Sequence, residues 1–221
     1  MEIIDYSKRF STNNHKVNHA PFFPKNIFCV IAGPTACGKT NLLLNFLLDE
    51  GVLDYDDVYI YTPTLYQPAY KYLREFYNNL ENEIKNPSEL DAKLNHIMIF
   101  DDVMLNDQTK IKEYFCRGRH NNVNVFYLCQ SLHKIAKHCI RDNANTFILF
   151  HQDDKTMKYF HENISGDMNF LEFKKFYDAA WCKKHGCITI NKWEDPYCGR
   201  YISNINEIYV PEQYLKILKN T

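Results

Sequence analysis

Several things are missing from this chain of 221 residues. It has no excess of either charge. Its 26 Lys and Arg against 27 Asp and Glu leave a formal net charge of -1, which excludes a strongly basic tail as the main route to nucleic acid but leaves room for a local basic patch. It has no long apolar run either: the longest are the size of a strand or a helix, well short of the roughly 20 residues that span a membrane. Residues 1–20 are polar and carry no apolar core of the kind a secretory leader has. Repeats and low-complexity segments are also absent. The expectation is a soluble, intracellular protein with no membrane partner. With 45% hydrophobic and 15% aromatic residues, the chain has the material for one sizeable core and reads as a single globular domain.

The stretch Gly33-Pro34-Thr35-Ala36-Cys37-Gly38-Lys39-Thr40 fits G-x-x-x-x-G-K-[ST] at every fixed position. Before it, residues 26–32 are short, apolar and β-branched, as a buried strand should be. After it, residues 42–48 form a leucine-rich helix that stops at Gly51. In that context the two glycines let the backbone fold into a nest of N–H groups, and the helix start adds its positive end. The loop and Asn41 beside it are expected to hold a nucleoside triphosphate. Lys39 would reach the β- and γ-phosphates, and the Thr40 hydroxyl would ligate Mg²⁺.

Residues 1–25 read as an N-terminal arm closed by Pro21 and Pro24. Strands are expected at residues 57–61, 96–102, 123–129 and 146–150. Tyr66, Ala69, Tyr70, Leu73, Phe76, Tyr77, Leu80 and Ile84 recur at helical spacing, a stripe that reads as a packing face. A break at Asn86-Pro87-Ser88-Glu89 starts a short helix to Leu94. Further helices are expected at residues 107–120, 132–139, 156–162, 167–184 and 211–218, with a hairpin between residues 187–190 and 200–202.

The third strand ends in Asp101-Asp102, an apolar run closed by two acids. This is the Walker B form: Asp101 would hold Mg²⁺, and Asp102 would polarise the attacking water as general base. Gln130, just past the fourth strand, can contact the γ-phosphate or the lytic water. Eight cysteines are present. Cys29, Cys129 and Cys139 fall in or near buried elements, where Cys acts as a small hydrophobe. Cys182, His185, Cys187 and Cys198 lie close enough to suggest a metal site. Their spacing matches no common zinc pattern, however, and a hairpin turn at His185-Gly186 accounts for them equally well.

A strand stands between the phosphate-loop strand and the Walker B strand, and an acid directly follows the metal-binding Asp. Both features point to the ATPase branch that includes RecA-like motors. The phosphate loop, Ile99-Phe100-Asp101-Asp102, Gly118-Arg119-His120-Asn121-Asn122 leading to Cys129-Gln130-Ser131, and Ile140-Arg141-Asp142-Asn143-Ala144-Asn145-Thr146-Phe147-Ile148-Leu149-Phe150 together resemble the poxvirus-type genome-packaging ATPases. This family of large DNA viruses, virophages and virus-like transposons belongs to the FtsK–HerA superfamily, and the resemblance covers residues 26–204.

The resemblance implies an α/β, RecA-like P-loop NTPase with a mostly parallel sheet flanked by helices and a C-terminal β-hairpin. It divides the chain into a core (26–151), a helical and hairpin extension (152–204) and a tail helix (205–221). It implies an ATP-driven ring of subunits that pushes double-stranded DNA, without regard to sequence, into a preformed capsid. A capsid or portal component would be the partner, and a virus factory or assembling virion the place. Lys39 and Thr40 would be Walker A, Asp101 and Asp102 Walker B, and Gln130 the sensor. Arg141 and Arg119 are the candidates for an arginine supplied to a neighbour's site. Lys134, Lys137, Lys183 and Lys184 are the candidates for contact with DNA phosphates.

Two features depart from the family pattern. The second acid in the superfamily is often Glu, and the finger position itself falls near Phe147. Two other readings share the phosphate loop: a small nucleotide or nucleoside kinase, for which no Arg-rich lid is evident, and a non-catalytic ATP-binding assembly subunit. Asn191-Lys192-Trp193-Glu194 narrowly misses the N-K-x-D of GTPases and falls in the expected hairpin.

Overall fold

The computed structural model describes residues 18–76 and 84–218. Its centre is β1 (Phe28–Ala32), buried along its whole length. Alternate side chains of β1 feed two separate cores, as strand geometry requires. Phe28, Val30 and Ala32 face one, and Cys29 and Ile31 face the other.

The strands that follow in the chain are β2 (Asp57–Tyr61), β3 (His96–Asp101), β4 (Val123–Cys129), β5 (Thr146–Phe150), β6 (Cys187–Asn191), β7 (Tyr201–Ser203) and β8 (Glu207–Tyr209). They form one sheet in the order β2-β3-β4-β1-β5-β6-β7-β8. The first five in that order are parallel, and the last three add on antiparallel. The expected mostly parallel sheet is therefore present, and the expected hairpin of β6 and β7 continues it.

Helices cover both faces. On one side α1 (Lys39–Leu48) and α2 (Pro68–Phe76) place Leu43, Phe46, Leu47, Tyr70 and Leu73 against the sheet. On the other side lie α3 (Thr109–Arg117), α4 (Asp154–Asn163) and α5 (Phe170–Trp181). They contribute Ile111, Tyr114, Phe115, Met157, Phe160, Phe173, Phe176 and Tyr177. A short α6 (Glu212–Leu218) closes the described chain. Pro68 opens α2, where its missing N–H is not needed. Asp153 and Asn169 cap α4 and α5 by accepting from Thr156 N and Glu172 N, both at 2.9 Å.

Several elements differ from the periodicity reading. The helix expected at residues 107–120 ends at Arg117 and tightens into a 3-10 turn, Gly118–Asn121. The segment 132–139 is not one helix. It is a 3-10 turn, Leu132–Lys134, followed by a single π turn, Lys137–Arg141, with Ile135 and Ile140 both buried on the sheet. The Asn86 break starts only a 3-10 turn, Pro87–Glu89, closed by a capping box. The turn at His185-Gly186 joins α5 to β6 and is not a hairpin. The aromatic stripe holds as a packing face at Tyr70 and Leu73, while Tyr66 is 72% exposed and the stripe beyond Phe76 lies partly outside the described residues.

Residues 1–17 of the expected arm are also outside the described residues. Residues 18–23 touch the body: Ala20 N donates to Val52 O (2.9 Å), and Phe23 packs edge-on to Phe46 and Phe126. Among the described residues no helix is long and apolar enough to cross a membrane.

At the edge of the sheet where the parallel strands begin, buried asparagines stitch the strands together. Asn145 Oδ1 accepts from Phe28 N (2.9 Å), and its amide donates to Asn26 O (2.6 Å). Asn124 Oδ1 does the same for Ile27 N, with its amide on Asn95. Replacing Asn145 by Ala leaves Phe28 N buried and unpaired. Urea denaturation should show a loss of about 1–3 kcal/mol, and a loss near zero would mean that these amides do not hold the start of β1.

Candidate active site

At its other end β1 has to leave a sheet that crowds it on both sides. Gly33 N donates to Cys129 O at the end of β4 (3.1 Å). A Cβ on Gly33 would lie 2.6 Å from Cys37 Sγ and 2.7 Å from Phe150 Cβ. Only glycine passes that gap. The loop then turns through Ala36 (φ 61°) and Gly38 (φ 114°), both in the left-handed region. Gly38 precedes α1 with no side-chain cap, and no acid lies in the helix's first turn. The first N–H groups of α1 thus stay open to a ligand and carry the positive end of its dipole. Lys39 is folded over the loop, its Nζ donating to Gly33 O (2.8 Å) and Pro34 O (2.9 Å). His185 braces the loop from the far side through its Nδ1, 2.8 Å from Cys37 O.

The neighbouring parallel strands deliver the acids and the glutamine to the same edge. β3 ends at buried Asp101, Asp102 takes a left-handed φ of 56°, and Gln130 follows the last residue of β4. Lys39, Thr40, Asp101, Asp102 and Gln130 line one open cavity, with Thr35, Ala36 and Gln67.

Tyr70 lies beneath this cavity, fully buried. Its O–H donates to Asp101 Oδ2. Burial and the adjoining carboxylate push the phenol well above its usual range, so it remains a donor. Burial also raises Asp101, opposed by the Tyr70 hydrogen bond and by the Lys39 charge. One oxygen of Asp101 is thereby committed to the protein, and the carboxylate is fixed in orientation. Hard oxygen donors from Thr40, Asp101 and Asp102 on one cavity suit Mg²⁺.

Pro34, Cys37, Gly33 and Gly38 shape the loop, and exposed Asn41 does not line the cavity. Arg119 and Arg141 are not near it. Both precede the strands that flank β1, so they lie at the opposite edge of the sheet, with Arg119 exposed and Arg141 half-buried. Tyr70 and Gln67 escaped the sequence reading as site residues, and His185 entered it only as a metal-ligand or turn candidate, not as a brace on the phosphate loop. Tyr70 was visible there only as one ring of a packing stripe, and no local pattern pairs it with Asp101. Cys182, His185, Cys187 and Cys198 do not converge; among the described residues no three metal-ligating side chains do. Burial pushes the Cys129 and Cys187 thiols up to about 12, so both stay protonated.

The sheet and its phosphate loop define a P-loop NTPase of the RecA-like kind. No family model matches the chain, and no curated protein does. Solved structures do. The genome packaging NTPase B204 of Sulfolobus turreted icosahedral virus 2, in complex with AMP, superposes with a TM-score of 0.55 at 10% identity, covering 81% of this chain and 96% of that one. B204, the DNA-packaging ATPase of Sulfolobus turreted icosahedral virus, gives 0.52 at 14% identity, covering 76% and 93%. EssC (ATPases 2 and 3) of Geobacillus thermodenitrificans gives 0.51 at 14% identity, with 87% of this chain on 42% of that one. At these identities the likeness is one of fold, and at that level it agrees with the resemblance drawn from the motifs.

Two outcomes follow from the site. Gly33→Ala should destabilise the protein by about 1–3 kcal/mol through overpacking against Phe150, measured by thermal melting; an unchanged midpoint would mean that the gap can open. Tyr70→Phe should leave nucleotide binding in EDTA unchanged. It should raise the Mg²⁺ concentration for half-maximal binding about threefold to tenfold, read with a fluorescent ATP analogue, since one charge-assisted hydrogen bond to Asp101 is lost. Equal Mg²⁺ curves would mean that Tyr70 only packs.

Proposed function

We propose that this chain hydrolyses ATP and uses the energy to move double-stranded DNA into a viral capsid, working as a ring of identical subunits. The observation that carries the reading is the convergence of Lys39, Thr40, Asp101, Asp102 and Gln130 on one cavity, in a fold shared with viral packaging NTPases. The FtsK–HerA pattern of the motifs supports it.

On this reading the N–H groups of the loop and of the start of α1 receive the phosphate oxygens. Lys39 exchanges the Gly33 and Pro34 carbonyls for the β- and γ-phosphates, a short swing for a flexible side chain. Tyr70 keeps Asp101 turned toward the cavity. Asp102, exposed and at the mouth, takes the proton of the water that attacks the γ-phosphorus, and Gln130 orients that water. Mg²⁺, when bound by Thr40 and Asp101, neutralises charge on the phosphates.

The arginine that completes the site comes from the next subunit. Arg119 and Arg141, at the sheet's opposite edge, are where a head-to-tail neighbour would offer one. DNA is held through its phosphates and not its bases. A capsid or portal component anchors the ring, in a virus factory or on an assembling virion.

ATPase assays with and without duplex DNA test this. Hydrolysis should rise on adding DNA and fall by a factor of about 100 or more in Lys39→Ala and in Asp102→Asn. Phosphate transfer to a nucleoside would replace the reading with a kinase. Tight ATP binding without turnover, with or without DNA, would leave an assembly subunit.

A further inference from the structure

At the edge of the sheet away from the phosphate loop, a second, smaller cavity opens between the π turn Lys137–Arg141, α4 and the end of β6. Three cations line it: Lys137, Arg141 and Lys192. Among the described residues the only carboxylate on its wall is Asp142. That carboxylate is 3.4 Å from His138 Nδ1, and the Asp142 main-chain carbonyl accepts from Lys192 Nζ (3.0 Å). Positive charge is therefore in local excess, in a chain whose net charge is -1.

Arg141 is held in place by Tyr159. Its guanidinium lies 5.4 Å from the centroid of the Tyr159 ring, and Nη1 donates to Tyr159 Oη (2.6 Å). Its Nε is buried and has no hydrogen-bond partner among the described residues. An unpaired buried donor on a cation is costly, and native structures seldom keep one without a reason. The π turn itself is a rare form, found most often where function demands it. Here the Ala136 carbonyl accepts from both Ile140 N and Arg141 N, and the widened turn brings Lys137 and Arg141 to one cavity.

We propose that this cavity is a phosphate-binding site, with the Arg141 guanidinium and the Lys137 and Lys192 ammonium groups as its donors and a nucleic-acid backbone as its ligand. A planar guanidinium with two ammonium groups around it is what a tetrahedral phosphate oxyanion calls for. Trp193, next to Lys192, is 63% exposed and widens the surface that a polymer would meet. The choice of polymer rests on the functional reading above; the phosphate site itself does not. The arginine is pinned on Tyr159, which fits a fixed phosphate clamp better than a group that reaches into a neighbour's site. Arg119 is then the freer candidate for that second role.

The test compares wild type with Lys137→Ala/Lys192→Ala, each checked for an unchanged melting point. Binding of a labelled duplex of about 30 base pairs is measured without nucleotide, from about 50 to 300 mM salt. The double variant should lose about tenfold in affinity at the low-salt end. Its slope of log K against log salt should flatten by about 2, because two fewer phosphates are neutralised on binding. Lys183→Ala/Lys184→Ala, at the phosphate-loop edge, is the comparison pair. A second arm titrates inorganic phosphate calorimetrically into Lys39→Ala protein, with and without the Lys137 and Lys192 changes. Loss of that heat with duplex binding intact would assign the site to free phosphate. If neither duplex affinity nor phosphate heat changes, or only the Lys183 and Lys184 pair matters, the site is overturned. The binding comparison needs no hydrolysis, so a failed ATPase assay would sink the motor reading and leave this result legible.

Discussion

The structure depends on how β1 leaves the sheet. Flanked by β4 and β5 and buried on both faces, this strand can exit only through its end, and the exit is narrowed by Phe150 and the Cys37 Sγ. A glycine at position 33 is the steric answer. From that point the chain must turn sharply, and the turn aims the start of α1 back over the ends of β3 and β4. The acids, the glutamine and the phosphate loop meet because parallel strands all finish at one edge.

The two edges of the sheet do different work. Where the parallel strands end, carboxylates and open N–H groups collect around one cavity. Where they begin, about 16 Å away for a five-residue strand, asparagines satisfy the main chain and cations gather. The helices link these edges to the two cores. Tyr70 shows how: one ring on α2 belongs to the core with Leu43 and Phe126, while its hydroxyl orients Asp101. A packing residue and a positioning residue are the same side chain.

Much of this was legible in the residues. The strands at 57–61, 123–129 and 146–150 agree with the structure at both ends: β4 and β5, buried on both faces, read as largely apolar runs, and the outer strand β2 reads through its alternation of half-buried and buried residues. The phosphate loop was legible because its glycines, lysine and threonine are local in sequence. What was hidden depended on distant partners. β8 is short and mostly exposed, so it shows no alternation and exists only by pairing with β7. The π turn looks helical by propensity, and the need to bury both Ile135 and Ile140 on the sheet reshapes it. Neither the Tyr70 bond to Asp101 nor the His185 brace on the loop can be read from spacing, since 31 and 148 residues separate the pairs.

The central claim is that the N–H groups of the phosphate loop and of the start of α1 receive the phosphates of ATP. Hydrogen exchange read by mass spectrometry tests it directly, by adding Mg²⁺ and a non-hydrolysable ATP analogue to the intact chain. The account predicts that peptides covering residues 33–41 slow strongly, while those covering residues 137–142 keep their rate in the absence of DNA. Unchanged exchange across residues 33–41 at saturating analogue would contradict it.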